Sequence, residues 1–114
     1  MKIEEFKVKL NNTMAEIEFA DTMAVIEENY NFTPTAFTNG KLKNKAGENS
    51  GSCKLFAFAT LQGFTVNETL RCFGKFYSEE VLFNLDGDNH QNIRNFMLTG
   101  FDGILFDGEA LKTK

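Results

Sequence analysis

The chain has 114 residues, a formal net charge of −4 and a sequence pI near 5.0. Hydrophobic residues make up 42% of it and include 13 Phe, which excludes a disordered chain and allows a modest core. The acidic balance disfavours nucleic acid and anionic membranes as partners, and no apolar run approaches the ~18 residues of a membrane span. The charged opening, residues 1–5, is unlike a signal peptide. We therefore expect one cytoplasmic domain over residues 1–114.

Apolar spacing predicts two amphipathic helices in the first thirty residues, at about 2–10 and 19–30. Between them, Thr13 and Glu16 have the spacing of a capping box. The predicted inward faces of the two helices are Ile3, Phe6, Leu10, Phe19, Met23, Ile26 and Tyr30.

Residues 31–50 form a long region without helical spacing, which contains the single proline, Pro34. Loops of this length tend to be functional or to contain strands of their own. Within the region, Asn39-Gly40 is a type I′ turn signal, so residues 36–43 are predicted to form a small hairpin.

An almost wholly apolar segment follows the triplet Gly51-Ser52-Cys53. We predict a buried helix from Ser52 to about Gln62, with Ser52 as its N-cap and Gly63 as its end. A buried strand over 54–61 is the alternative, because short apolar runs do not distinguish the two.

Three more helices and a strand are predicted in the second half. Thr65 and Glu68 form a capping box, a short helix begins at Ser78, and a last helix covers about 90–99. The inward residues are expected to be Val66, Leu70, Phe73, Tyr77 or Phe76, Val81, Leu82, Leu85, Ile93, Phe96 and Met97. An apolar triplet at 104–106, between two Asp-Gly turns, predicts a C-terminal strand that could pair with the hairpin. The fold class is mainly α, or α+β with a minor sheet, with five or six short helices.

Three segments, residues 30–40, 49–59 and 90–97, together with Cys72-Phe73-Gly74, resemble the HopJ family over nearly the whole chain. Two positions depart from the family pattern: Phe101 stands in place of Trp, and Ser78 in place of Arg. The resemblance implies no settled biochemical activity, and the family is named after a type III secreted effector. Because an amphipathic helix is predicted from residue 2, there is no room for a flexible export signal, and we expect that this chain is not exported.

Cys53 and His90 form the first candidate site, with Asn92 or Asn95 orienting the imidazole. A thiol at a helix N-terminus has its thiolate stabilised by backbone N–H groups, and His90 is the only histidine. The Gly-Ser-Cys start resembles that of papain-type enzymes superficially, but those place histidine ~130–150 residues downstream rather than 37. The competing interpretation is that Cys53 and Cys72 are buried thiols that pack as small hydrophobic groups.

The loop 41–52 is the second candidate, because it is basic in an acidic protein and ends at a helix start. That combination is typical of an anion site, although Cys53 in place of the lysine excludes a P-loop. A solvated loop is the alternative. A calcium loop at 86–89 is rejected because glycine and glutamate are missing at the required positions. Arg94, among polar neighbours, could hold a carboxylate or phosphate, but bracing of backbone carbonyls is favoured.

These patterns favour a non-enzymatic protein without a metal or cofactor. It would bind a small anion or a protein partner where the 39–52 loop meets the start of the His90 helix. Two alternatives stay open: a cysteine-dependent hydrolase or acyl transferase, and a type III secreted effector. The oligomeric state is not indicated. The residues expected to line the binding face are Asn39, Asn44, Asn49, Ser52, Lys54, His90, Asn92, Arg94 and Asn95.

Overall fold

A computed structural model describes residues 1–12 and 16–114. The predicted capping box of Thr13 with Glu16 therefore lies outside the described residues. The helices are α1 (Ile3–Leu10), α2 (Phe19–Asn29), α3 (Ser50–Gln62), α4 (Val66–Arg71), a π-helix (Phe76–Val81), α5 (Gln91–Thr99) and a 3-10 turn (Gly100–Gly103). The strands are β1 (Tyr30–Phe32), β2 (Phe37–Asn39), β3 (Leu42–Asn44), β4 (Ile104–Phe106) and β5 (Leu111–Thr113). The predicted class, helical with minor antiparallel sheets, is confirmed.

The apolar segment forms the central helix α3, so the alternative of a buried strand is wrong. Its residues Leu55, Phe56 and Phe58 have no exposed surface. The Phe56 ring lies 4.9 Å from Phe96 of α5 and 6.1 Å from Phe37 of β2, centroid to centroid. A helix that is apolar nearly all round requires neighbours on every side, and the other elements pack around it for that reason.

Two small sheets flank this core. The predicted strand at the C-terminal end pairs with the hairpin, as expected, giving an antiparallel sheet in the order β3-β2-β4. A second sheet joins β1 to β5, with Tyr30 opposite Thr113. The second pairing was not predicted, because its two strands are three residues long and far apart in the chain.

The hairpin turn lies one residue later than predicted. Asn39 is the last residue of β2 and pairs with Leu42, so the two loop residues are Gly40 and Lys41. Gly40 has φ of +61°, and Lys41 does not have a positive φ, which excludes the predicted type I′ turn. The shift moves Asn39 from an exposed turn into a strand position with no exposed surface.

Helix α3 begins at Ser50, two residues earlier than predicted, and Asn49 in the left-handed region precedes it. Ser52 is therefore the third residue of the first turn and not the N-cap. The segment predicted as a helix from Ser78 is a π-helix from Phe76, in which the Leu82 amide donates to Tyr77 O.

Several apolar residues predicted to face inward are exposed. Between 36% and 66% of the surface of Val66, Phe76, Leu82, Leu85 and Met97 is accessible. Short helices bury a narrow stripe, which in α5 consists of Asn92, Ile93 and Phe96, so Met97 lies at its edge.

Candidate functional site

Four asparagines from the hairpin, the following loop and α5 form one hydrogen-bonded cluster, which we call the asparagine cluster: Asn39, Asn44, Asn49 and Asn92. The Asn39 amide donates to both the backbone O and Oδ1 of Asn92, at 2.7 and 3.0 Å. The Asn92 amide donates to Asn44 Oδ1 at 3.0 Å, and the Asn49 amide donates to the same oxygen at 2.7 Å.

The asparagine cluster fixes the hairpin against the start of α5. Asn39, Asn44 and Asn92 are at most 6% exposed, so their amides are used within the protein. Sequence analysis placed all four in one site, and the structure brings all four together. For Asn39 and Asn44, however, the role is to position other groups, because buried polar side chains require partners. Asn39 Oδ1 is buried without a hydrogen-bond partner in the described structure.

Helices α3 and α5 both begin next to this cluster, and they begin in the same unusual way. The preceding residues, Asn49 and His90, have φ of +51° and +52°, and neither side chain caps its helix. The first amides of a helix have no acceptor within it. Both helix starts therefore present backbone N–H groups that no capping side chain uses.

The two helix starts meet at a cleft of about 470 Å³. Four residues named from the sequence line it: Asn49, Ser52, His90 and Asn92. The others are Phe19, Leu42, Gly51, Phe73, Phe76, Gln91 and Ile93. Three of these residues, Phe19, Phe73 and Phe76, form an aromatic wall that was not predicted as part of a site. Helical spacing assigns Phe19 and Phe73 to the core, and spacing alone does not show that a core face borders an opening.

His90 lies at the rim of the cleft, held from two sides. Its Nε2 is 2.9 Å from Glu80 Oε1, on the π-helix, and its ring centroid is 5.2 Å from that of Phe76. The imidazole is about a quarter exposed, 26%, so it remains accessible from the cleft.

The predicted pair of Cys53 with His90 is not formed. Cys53 is 1% exposed, its amide donates to Asn49 O, and its Sγ donates to Thr35 O at 3.5 Å. The His90 ring instead contacts Glu80. Burial raises the pKa of the Cys53 thiol, the opposite of what a nucleophile needs. Burial also raises the pKa of Cys72 to about 12. Both cysteines are packed thiols.

Three other predicted residues have partners of their own. Lys54 Nζ is 3.6 Å from Glu27 Oε1 and lies over the Phe32 ring, on a different side of α3. Arg94 braces the preceding loop, as favoured, since its guanidinium donates to Asn89 O, Asn89 Oδ1 and Leu85 O. The Asn95 amide donates to Gln91 O, one turn earlier, and so does not orient His90.

Among the described residues, no group of His, Cys, Asp and Glu side chains could hold a metal ion. Within the same part of the chain, none of the helices has the length and apolar character needed to cross a membrane.

Comparison with known families shows what class of protein this fold defines. The model of the HopJ type III effector protein family matches residues 3–111, so the chain belongs to that family. A solved crystal structure of an unknown-function protein, VPA0580, is similar at 53% sequence identity with a TM-score of 0.97. The similarity covers 100% of this chain and 95% of that one. None of the curated proteins matches.

Proposed function

We propose that the cleft between the starts of α3 and α5 binds a small organic anion, a carboxylate or a phosphate ester. The observation that carries the proposal is the convergence of two helix N-termini, neither capped by a side chain, on one cavity. Helix N-termini favour negative charge through their free N–H groups and their dipoles.

The remaining lining supports an anion of this kind. Among the described residues, no Asp, Glu, Lys or Arg lines the cleft, and the nearby Glu80 carboxylate bonds to His90 at its rim. The polar character of the lining therefore comes from backbone, amide, hydroxyl and imidazole groups. Ser52 and Gln91 lie in the first turns, where their side chains can add hydrogen bonds to those of the backbone. The aromatic wall, Phe19, Phe73 and Phe76, suits an apolar portion of the same ligand. A concave cavity also favours a small molecule over the protein partner that the sequence left open.

Titration of labelled protein with benzoate, followed by amide chemical shifts, tests the proposal. We expect the largest shifts at Gly51, Ser52 and Gln91, because their backbone N–H groups would contact the carboxylate. The probe combines an anionic head with a ring that the aromatic wall can contact. Benzyl alcohol, which has the ring without the charge, is the control ligand and should leave these amides unchanged.

The matched variants are Ser52→Asp and Ser50→Asp. Both add one carboxylate to the first turn of α3, where it interacts favourably with the dipole, so both variants should fold. Residue 52 lines the cleft and residue 50 does not. Benzoate binding should be lost in Ser52→Asp and kept in Ser50→Asp. Equal binding by the two variants, or shifts confined to another surface, would refute the proposal.

The family description supports a second candidate, export through a type III system. Under the leading proposal the protein works in the cytoplasm. A secretion reporter fused to residues 1–30 decides between the two locations. Export of that fusion in a strain with a type III system, and not in a secretion-deficient strain, would favour the effector function.

A further inference from the structure

A second, apolar depression of about 650 Å³ runs along the outer face of α2. We call it the α2 groove. Ala20 and Ala24, one turn apart on α2, are exposed in it, and Met23 is partly buried beside them. The residues around it are Glu18, Phe19, Ala20, Met23, Ala24, Glu27, Phe73, Lys75 and Phe76.

The α2 groove and the cleft share one wall. Phe19, Phe73 and Phe76 line both depressions. The Phe19 ring stacks on Phe73 at 6.1 Å and meets Phe76 edge-on at 5.3 Å. Phe19 also lies over the start of α3, since a Cβ on Gly51 would be 2.8 Å from Phe19 Cζ. The aromatic wall therefore leads from the free amides of α3 directly onto the apolar face of α2.

The cleft and the α2 groove differ in the charges of their lining residues. The Glu80 carboxylate bonds to His90 at the rim of the cleft, but no Asp or Glu is among the described residues that line it, whereas Glu18 and Glu27 border the α2 groove. These two are held in ion pairs, Glu18 with Lys75 at 3.7 Å and Glu27 with Lys54 at 3.6 Å. A negative head group is therefore favoured at the cleft, and an uncharged apolar chain is favoured in the α2 groove.

We propose that the ligand is an amphipathic carboxylate of the straight, medium-chain fatty acid class. Its carboxylate binds at the starts of α3 and α5, and its alkyl chain passes over the aromatic wall along α2. From Phe19 to Glu27 the helix axis advances ~12 Å, which suits a medium chain rather than a long one. This inference rests on the proposed function of the cleft and adds the class of ligand.

A chain-length series tests it: acetate, hexanoate, octanoate and decanoate, each below its critical micelle concentration, with Kd measured by calorimetry. Each methylene that the α2 groove buries should tighten binding about fourfold. Methyl decanoate, which keeps the chain and loses the charge, should bind far more weakly than decanoate. The dicarboxylate of the same length should also bind more weakly, because its second head group would lie near Glu27.

The variant Ala24→Glu tests binding of the alkyl chain independently of binding of the carboxylate. Residue 24 is an exposed helix position, and glutamate is a good helix former, so the variant should fold. It should abolish the gain with chain length and leave benzoate binding unchanged. Leu98→Glu is the matched control, since residue 98 is 84% exposed on α5 and lines neither depression.

Each outcome has a distinct meaning. Tightening with chain length that Ala24→Glu removes supports the inference. Benzoate binding that depends on residue 52, without any gain from longer chains, keeps the proposed function and refutes the fatty-acid class. Equal binding of decanoate and its methyl ester refutes the head-group assignment. A dimer that Ala24→Glu dissociates shows that a second copy covers the α2 groove and also refutes the inference.

Discussion

Four helices of this protein, α2 to α5, begin in two different ways. At α2, the Glu18 amide donates to Asp21 Oδ2 at 3.0 Å, and at α4 Thr65 and Glu68 form a reciprocal capping box at 2.9 and 3.1 Å. Helices α3 and α5 instead start from left-handed Asn49 and His90, without a side-chain cap. The second pair presents its backbone amides to the cleft, whereas α2 contributes the Phe19 side chain to the lining.

The difference between the capped and the uncapped helix starts shows which of them serve stability and which are available for binding. A capping box gives two of the first backbone amides of a helix local partners, so fewer of those amides are free for a ligand. A left-handed residue other than glycine costs about 1–2 kcal/mol. The asparagine cluster offsets this cost at Asn49, and contacts with Glu80 and Phe76 offset it at His90. The uncapped starts thus depend on distant parts of the chain, whereas the capped ones are encoded within four residues.

The largest expected effect concerns Cys53, because an uncapped helix start could activate a thiol. Iodoacetamide at pH 8 should alkylate both cysteines rapidly in urea and very slowly in the native protein. With its pKa raised from 9.0 to about 12, Cys72 has about a thousandfold less thiolate than an ordinary cysteine. Peptide mapping by mass spectrometry follows each site. Fast native alkylation of Cys53 would mean that the start of α3 activates the thiol after all.

Asn92→Leu should remove hydrogen bonds of the asparagine cluster that support the uncapped starts of α3 and α5. It removes three buried hydrogen bonds, those from the Asn39 and Asn44 amides to Asn92 Oδ1 and that from the Asn92 amide to Asn44 Oδ1. Each contributes about 1 kcal/mol, so a total loss of about 3 kcal/mol is expected. Urea unfolding measures it. Asn95→Leu is the control on the same helix. Within the described part of the chain the Asn95 side-chain amide bonds only to Gln91 O, so this variant should cost less than about 1 kcal/mol. Similar losses for the two variants would mean that the cluster does not support the helix starts.

Thr65→Ala and Ser52→Ala compare a capped start with an uncapped one directly. Removal of the Thr65 hydroxyl should cost about 1 kcal/mol, the usual value of an N-cap. Ser52 makes no capping bond, so Ser52→Ala should lie within about 0.5 kcal/mol of the parent. Chemical denaturation of both variants measures these changes in the free energy of unfolding. A larger loss at Ser52 would show that this hydroxyl stabilises α3 and is not free for a ligand.

The smallest expected effect is a pH dependence at the capped start of α4. The hydrogen bond from the Thr65 backbone amide holds the pKa of Glu68 below its ordinary value of 4.5. A lowered pKa means that the ionised carboxylate stabilises the fold above pH 4.5, and that this contribution is lost as the pH falls through the lower folded-state pKa. The stability difference between the parent and Glu68→Gln should therefore shrink towards acid pH. A difference that is the same at neutral and acid pH would contradict this account.

The sequence predicts well those helices that are determined by residues close together in the chain. The capping box at Thr65 and the amphipathic spacing of α1 and α2 identify those helices, and the apolar run at 55–59 identifies the core helix. The sequence also places a binding face where the 39–52 loop meets the start of α5. A cleft lies there in the structure, and its use as a binding site stays a prediction.

Distant contacts decided the rest. Asn-Gly is equally compatible with a turn at 39–40 or one residue later, and the partner that selects the later turn is Asn92, 53 residues away.

At Cys53, the start of α3 was predicted two residues too late, and the surroundings predicted for the thiol were therefore wrong. In the predicted helix the Cys53 amide would be free, but in the observed one it bonds to Asn49 O. Lys54 follows Cys53 immediately, so the helical rotation between neighbours directs it to Glu27 rather than to the cleft.

The pairing of β1 with β5 has a consequence for synthesis of the protein in the cell. Tyr30 bonds across to Thr113, and β2 requires β4, so strands from the first half stay incomplete until residues 104–113 have left the ribosome. Contacts this distant in sequence form slowly, and until then the aromatic surface of the central helix is uncovered. Shortening the chain by β5 should therefore be more damaging to the yield of folded protein from living cells than the loss of three residues suggests.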